Sequence, residues 1–74
     1  MSHSSAEKLV KMANQIGTFF AAQKRTDAVA GTAEHLRKFW DPRMRAGIID
    51  HVAHGGAGLD PVPLEAVKAL AGAK

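Results

Sequence analysis

The sequence predicts an all-α fold: a small bundle of three main helices plus a short C-terminal fourth helix, in one small domain over residues 1–74. Three observations carry that expectation. Apolar residues recur at steps of three and four through each segment, the period of one helical face. The segments are divided by Asp41-Pro42, Gly55-Gly56-Ala57-Gly58 and Asp60-Pro61, where a carboxylate caps, proline starts and glycine stops a helix. No stretch alternates apolar and polar residues as a half-buried strand does. Residues 1–4 and 72–74 are expected to fray.

The first helix is announced by Ser4 and Ser5, with Glu7 three residues after Ser4 in the spacing of a capping box. Leu9, Met12, Ala13, Ile16 and Phe20 then share one face, and the helix is expected to end near Gln23, before Lys24-Arg25-Thr26-Asp27. Thr26 or Asp27 supplies a cap for the second helix. There Val29, Ala33, Leu36 and Trp40 stand in register, and Gly31 marks a close helix contact or a weak point, since glycine costs about 1 kcal/mol against alanine. Asp41 caps and Pro42 opens the third helix, expected over residues 42–54 with Met44, Ile48 and Val52 inward and Ile49 beside them. The glycine run stops it. Leu59-Asp60-Pro61 repeats the cap-and-proline signal, Leu59 and Leu64 fit a hydrophobic staple, and Leu64, Val67 and Leu70 give the fourth helix.

Composition bounds the core. Of the apolar residues 14 are alanine, which leaves 20 large side chains, Met1 among them. Domains below roughly 70–80 residues usually need a disulfide, a metal or a partner. The chain has no cysteine, which excludes disulfides, zinc–thiolate sites and cluster ligation by this chain. A partner is therefore the first expectation. Net charge is +3 with no run of five or six like charges, so no charged nucleic-acid tail is indicated. No stretch reaches the roughly 18 apolar residues of a membrane span, and the N-terminus is no secretory signal, so the expected address is the cytoplasm.

No catalytic residue is expected. Serines occur only within the first five residues, where an unanchored terminus holds no nucleophile in place. The acids Glu7, Asp27, Asp41 and Asp60 stand at helix starts, where they oppose the helix dipole. His51 and His54 share a helix face, yet with Asp50 and His35 they make no diagnostic metal spacing. No metal site is expected. The glycine run has no strand before it and no Lys-Ser/Thr after it, so it is no phosphate loop.

Residues 35–45 carry the most information: His35, Arg37, Lys38, Arg43 and Arg45 crowd around Phe39 and Trp40 at a tight helix joint. One reading is a closed core with solvated cations. A second is a basic nucleic-acid surface, although Glu34, Asp41 and Asp50 dilute its field and the third helix lacks base-reading side chains. A third is a protein interface, where Trp and Arg are favoured anchors. The pairs Phe19-Phe20, Phe39-Trp40 and Ile48-Ile49 favour the interface. Successive helical positions lie about 100° apart, so a small core takes one member and turns the other to a flank. Self-association is a further option.

Met12-Ala13-Asn14-Gln15-Ile16 with Phe19-Phe20, then His35-Leu36-x-x-Phe39-Trp40-Asp41-Pro42-Arg43-Met44-Arg45, then Gly55-Gly56-x-Gly58-Leu59-Asp60-Pro61 resemble the delta subunit of soluble NAD-dependent formate dehydrogenases, molybdenum or tungsten enzymes. The resemblance spans about residues 9–61. It implies a non-catalytic accessory subunit that binds no cofactor itself. The alpha subunit it would bind holds bis-molybdopterin guanine dinucleotide and most iron–sulfur clusters, while beta and gamma subunits pass electrons to FMN and NAD. The implied role is assembly or stability of that complex. The expected partner contacts are Phe39 and Trp40 as apolar anchors, Arg43 and Arg45 as charge-assisted donors, and Asn14, Gln15 and Phe19 beside them.

Overall fold

Among the described residues four helices follow one another: α1 (Ser2–Ala21), α2 (Ala28–Phe39), α3 (Pro42–Ala53) and α4 (Pro61–Gly72). The computed structural model describes residues 2–23 and 27–72, with side chains from residue 6 onward. The architecture is the expected all-α bundle, with one difference of proportion. α4 is no shorter than α2 or α3, at 12 residues each, because Pro61 and Pro63 fit a first helical turn and alanines carry the helix on to Gly72.

The helix boundaries follow local chemistry. Asp27 accepts from the N–H groups of Val29 and Ala30, and Asp41 from that of Met44, each satisfying first-turn donors that no helical carbonyl reaches. Thr26, the alternative cap, lies outside the described residues. α1 begins at Ser2, so Ser4 occupies a helical position, and the expected Ser4–Glu7 capping box falls on a side chain outside the described ones. Of the ends expected to fray, Met1, Ala73 and Lys74 also lie outside. At the end of α3, Gly55 N–H donates to Val52 O and Gly56 N–H to His51 O. With Gly55 at φ +114°, this is a Schellman stop. Gly56 and Gly58 also hold positive φ, so the α3–α4 loop turns three times where a Cβ would be strained.

Each helix contributes to one core. Ala13 of α1, Leu36 of α2, Ile48 of α3 and Val67 of α4 are fully buried, with Trp40 at the α2–α3 joint. Leu9, Val10, Met12, Ile16, Met44, Ile49, Val52, Leu59 and Leu70 pack half-buried around them. α1 and α4 each pack against all three other helices, whereas α2 and α3 meet only weakly beyond their joint. One flank of the α1–α2 pair is therefore left without a covering helix.

Candidate functional site

The uncovered flank carries a row of rings. Phe19 and Phe20 meet edge to face at 5.1 Å, Phe20 meets His35 at 6.2 Å, and His35 lies 4.8 Å from Phe39. Two helices build it. His35 and Phe39 are four apart, one turn along α2, so their side chains stack. Phe20 reaches them across the interhelical gap because Gly31 leaves room: a Cβ there would come within 2.7 Å of Phe20 Cδ1. Gly31 thus marks a close helix contact. The two ends of the row are open to solvent, Phe19 at 60% and Phe39 at 73% exposure.

Each bulky pair divides as a small core requires. Phe39 is exposed and Trp40 buried, Phe19 exposed and Phe20 half-buried, Ile48 buried and Ile49 half-buried. Trp40 is consequently placed in the core and not on the free surface. α2 ends at Phe39, and Trp40 leaves it in an extended conformation (φ −86°, ψ 138°) that turns the indole under the joint. At 4% exposure it has almost no surface left to offer a partner.

Two more of the expected contact residues are occupied within the chain. Arg45 donates through Nη1 to the carbonyl oxygens of Arg37 (3.0 Å) and Trp40. These are orphan acceptors at the C-terminus of α2, where a cation also opposes the helix dipole. Asn14 uses both ends of its amide. Its Nδ2 donates to Gly58 O at 3.0 Å, and its Oδ1 accepts from Asp60 N–H at 2.9 Å, tying α1 to the α3–α4 loop. Asp60 therefore enters α4 with its own N–H held by Asn14 and its carbonyl accepting from Leu64 N–H. Gln15, Arg43, Phe19 and Phe39 are exposed, and they remain as surface groups.

Charge on this face is uneven. Glu34 accepts from Arg37 at 2.9 Å and pairs with Lys38 at 3.2 Å. Those two cations hold its carboxyl below its ordinary value. Arg37 and Lys38 are thus shared with Glu34 and Arg45 is a cap, so of the four cations a nucleic-acid surface would use, Arg43 alone has no such engagement among the described residues. On the far side, a shallow groove of about 600 Å³ runs between α1 and the α3–α4 loop, lined by Glu7, Val10, Lys11, His51 and Ala57. His51 donates from Nε2 to Ala57 O at 2.8 Å, and His54 Nδ1 donates to Asp50 O, so both imidazoles brace the end of α3. No group of three or more metal-binding side chains occurs among the described residues.

Phe20 and His35 complete the ring row, although neither was among the expected partner contacts. The spacing of His35 and Phe39 was a readable signal; the approach of Phe20 depends on how α1 crosses α2.

A family model for the NADH-dependent formate dehydrogenase delta subunit, FdsD, matches residues 8–67. That range holds the ring row, the α2–α3 joint with Arg45, and the Asn14 tie to the loop. Neither a curated protein nor a solved structure matches the chain.

Proposed function

The chain belongs to the NADH-dependent formate dehydrogenase delta subunit family, FdsD, and on that premise we propose that it is a non-catalytic accessory subunit binding the alpha subunit of the complex. Its role is to support assembly or stability of that subunit. The observation that carries this reading is the exposed pair Phe19 and Phe39, held in one row of rings by Phe20 and His35 on a chain with few large apolar residues to spare. An open aromatic patch on a small protein marks a partner site.

Phe39, Phe19, Gln15 and Arg43 make the direct contacts in this account. Trp40, Arg45 and Asn14 act beneath them: Trp40 fixes the joint, Arg45 closes α2, and Asn14 anchors the loop. The complex places its chemistry in other subunits, with bis-molybdopterin guanine dinucleotide and iron–sulfur clusters in alpha, and with FMN and NAD served through beta and gamma. This chain has no cysteine with which to ligate a cluster. No helix among the described residues is long and apolar enough to cross a membrane, which accords with a cytoplasmic complex.

The test is affinity purification of the tagged chain from its own cells, with identification of the proteins that accompany it. Recovery of the formate dehydrogenase alpha subunit is the expected result. Recovery of the chain without any formate dehydrogenase subunit would overturn the reading.

A further inference from the structure

The stripe of α2 that carries the rings lacks one side chain. Gly31, His35 and Phe39 follow one another at steps of four, so all three lie on one face of α2. His35 and Phe39 fill two of those places with rings 4.8 Å apart. The third is filled from the other helix. The Phe20 ring lies where a side chain at position 31 would stand, with Cδ1, Cε1 and Cγ at 2.7, 3.0 and 3.2 Å from the place of a Cβ. The backbone gives no reason for glycine there: Gly31 is inside α2, and the glycines with positive φ are Gly55, Gly56 and Gly58. Alanine, which α2 uses at Ala28, Ala30 and Ala33, makes a stronger helix interior. What glycine supplies is room for Phe20.

That room fixes how two exposed rings on two helices stand to each other. Phe19 rests edge to face on Phe20 at 5.1 Å, and Phe20 meets His35 at 6.2 Å. A Cβ at position 31 breaks this arrangement. Cγ, the stem of the Phe20 ring, is among the crowded atoms, so spinning the ring about its own axis gives no relief. Phe20 must change rotamer or the end of α1 must back away from α2, and either alters the spacing of Phe19 from His35 and Phe39. We propose that Gly31 is the positioning residue of the aromatic face: it cedes its side-chain place to Phe20, and docking depends on the spacing of Phe19 and Phe39 that results. Gly31 acts through Phe20 and not by contact with the partner. The inference rests on the accessory-subunit reading and adds to it the residue that sets the geometry of the docking face. A row of rings ordered before docking loses less entropy on binding.

The experiment compares four tagged full-length chains expressed in the source cells: wild type, Gly31→Ala, Phe20→Leu and Gly47→Ala. The last is a control for crowding alone, since a Cβ at Gly47 comes within 2.9 Å of Leu9 Cδ1, between α1 and α3 and away from the rings. Circular dichroism first establishes that each chain keeps its helices. Proton NMR then follows the imidazole signals of His35, which sense the rings beside it. These are expected to move in Gly31→Ala and Phe20→Leu and to stay in place in Gly47→Ala. Retention on the formate dehydrogenase complex is expected to fall at least about tenfold for Gly31→Ala and Phe20→Leu, and to match wild type for Gly47→Ala. Phe20→Leu leaves Gly31 intact and removes only the ring, so it decides the matter should Gly31→Ala unfold. Wild-type retention of Gly31→Ala or Phe20→Leu, or an equal loss in Gly47→Ala, would overturn the proposal and leave the family reading standing. A wild-type chain recovered without the complex would overturn the accessory reading as well.

Discussion

Asn14 decides more of this molecule than its place on a polar helix face implies. Its amide bonds Gly58 O and Asp60 N–H, residues 44 and 46 positions away. Asn14→Ala removes two hydrogen bonds and leaves the entry to α4 unanchored. A loss of about 1–2 kcal/mol is expected in a urea titration, and an unchanged midpoint would show that the loop holds itself. Thr32 gives the opposite sign. It is fully buried in α2, and its hydroxyl has no hydrogen-bond partner among the described residues. Thr32→Val keeps the shape and removes the unpaired group, so the thermal midpoint is expected to rise, by about 1 kcal/mol of stability; a lower midpoint would contradict that account. Neither role was legible in the sequence. Asparagine on a helix reads as a solvent-facing residue unless the loop that passes over it is known, and an internal threonine reads as neutral. Phe39 and Trp40 were legible as a pair that a small core must split, but which ring goes inward depends on α2 ending between them.

The helix joints show how elements borrow from one another. Arg45 belongs to α3, yet it closes the C-terminus of α2. Arg45→Ala is expected to fray the last turn of α2 and raise amide exchange at residues 37–40 while leaving α4 unaffected. Equal exchange at those amides would deny the cap. The Glu34 pairing lies wholly within α2 and has a pH signature. Its folded carboxyl titrates below the ordinary value of 4.5. Its contribution is therefore fully present above that ordinary value and is lost as pH falls through the lowered one. A wild-type advantage over Glu34→Gln is expected near neutral pH and should disappear on acidification through the lowered range, being small throughout because the pair is exposed. An advantage that grows on acidification would reverse the assignment. Element boundaries were the most legible layer, since Asp27, Asp41 and the Gly55-Gly56 stop are local signals acting on local backbone. The extent of α4 was less so, because weak side-chain periodicity hid a helix that alanine favours and that packing on α1, α2 and α3 completes.

At the scale of the whole molecule, the bundle is one core of small cross-section with an aromatic flank left uncovered. The scarcity of large apolar residues is a composition fact and foretold a partner. The proposed docking flank was not in the composition, because it exists only once Gly31 lets Phe20 approach α2. Binding that covers the flank adds to the stability of the folded chain by mass action. The subunit in its complex is thus expected to unfold at a higher temperature than the isolated chain; equal midpoints would argue against docking. Side-chain footprinting by hydroxyl radicals, run on the free chain and on the purified formate dehydrogenase complex, tests the docking face most directly. Phe19 and Phe39 are expected to be modified in the free chain and protected in the complex, with Trp40 shielded in both. Equal modification of the two phenylalanines, free and bound, would contradict docking through this face.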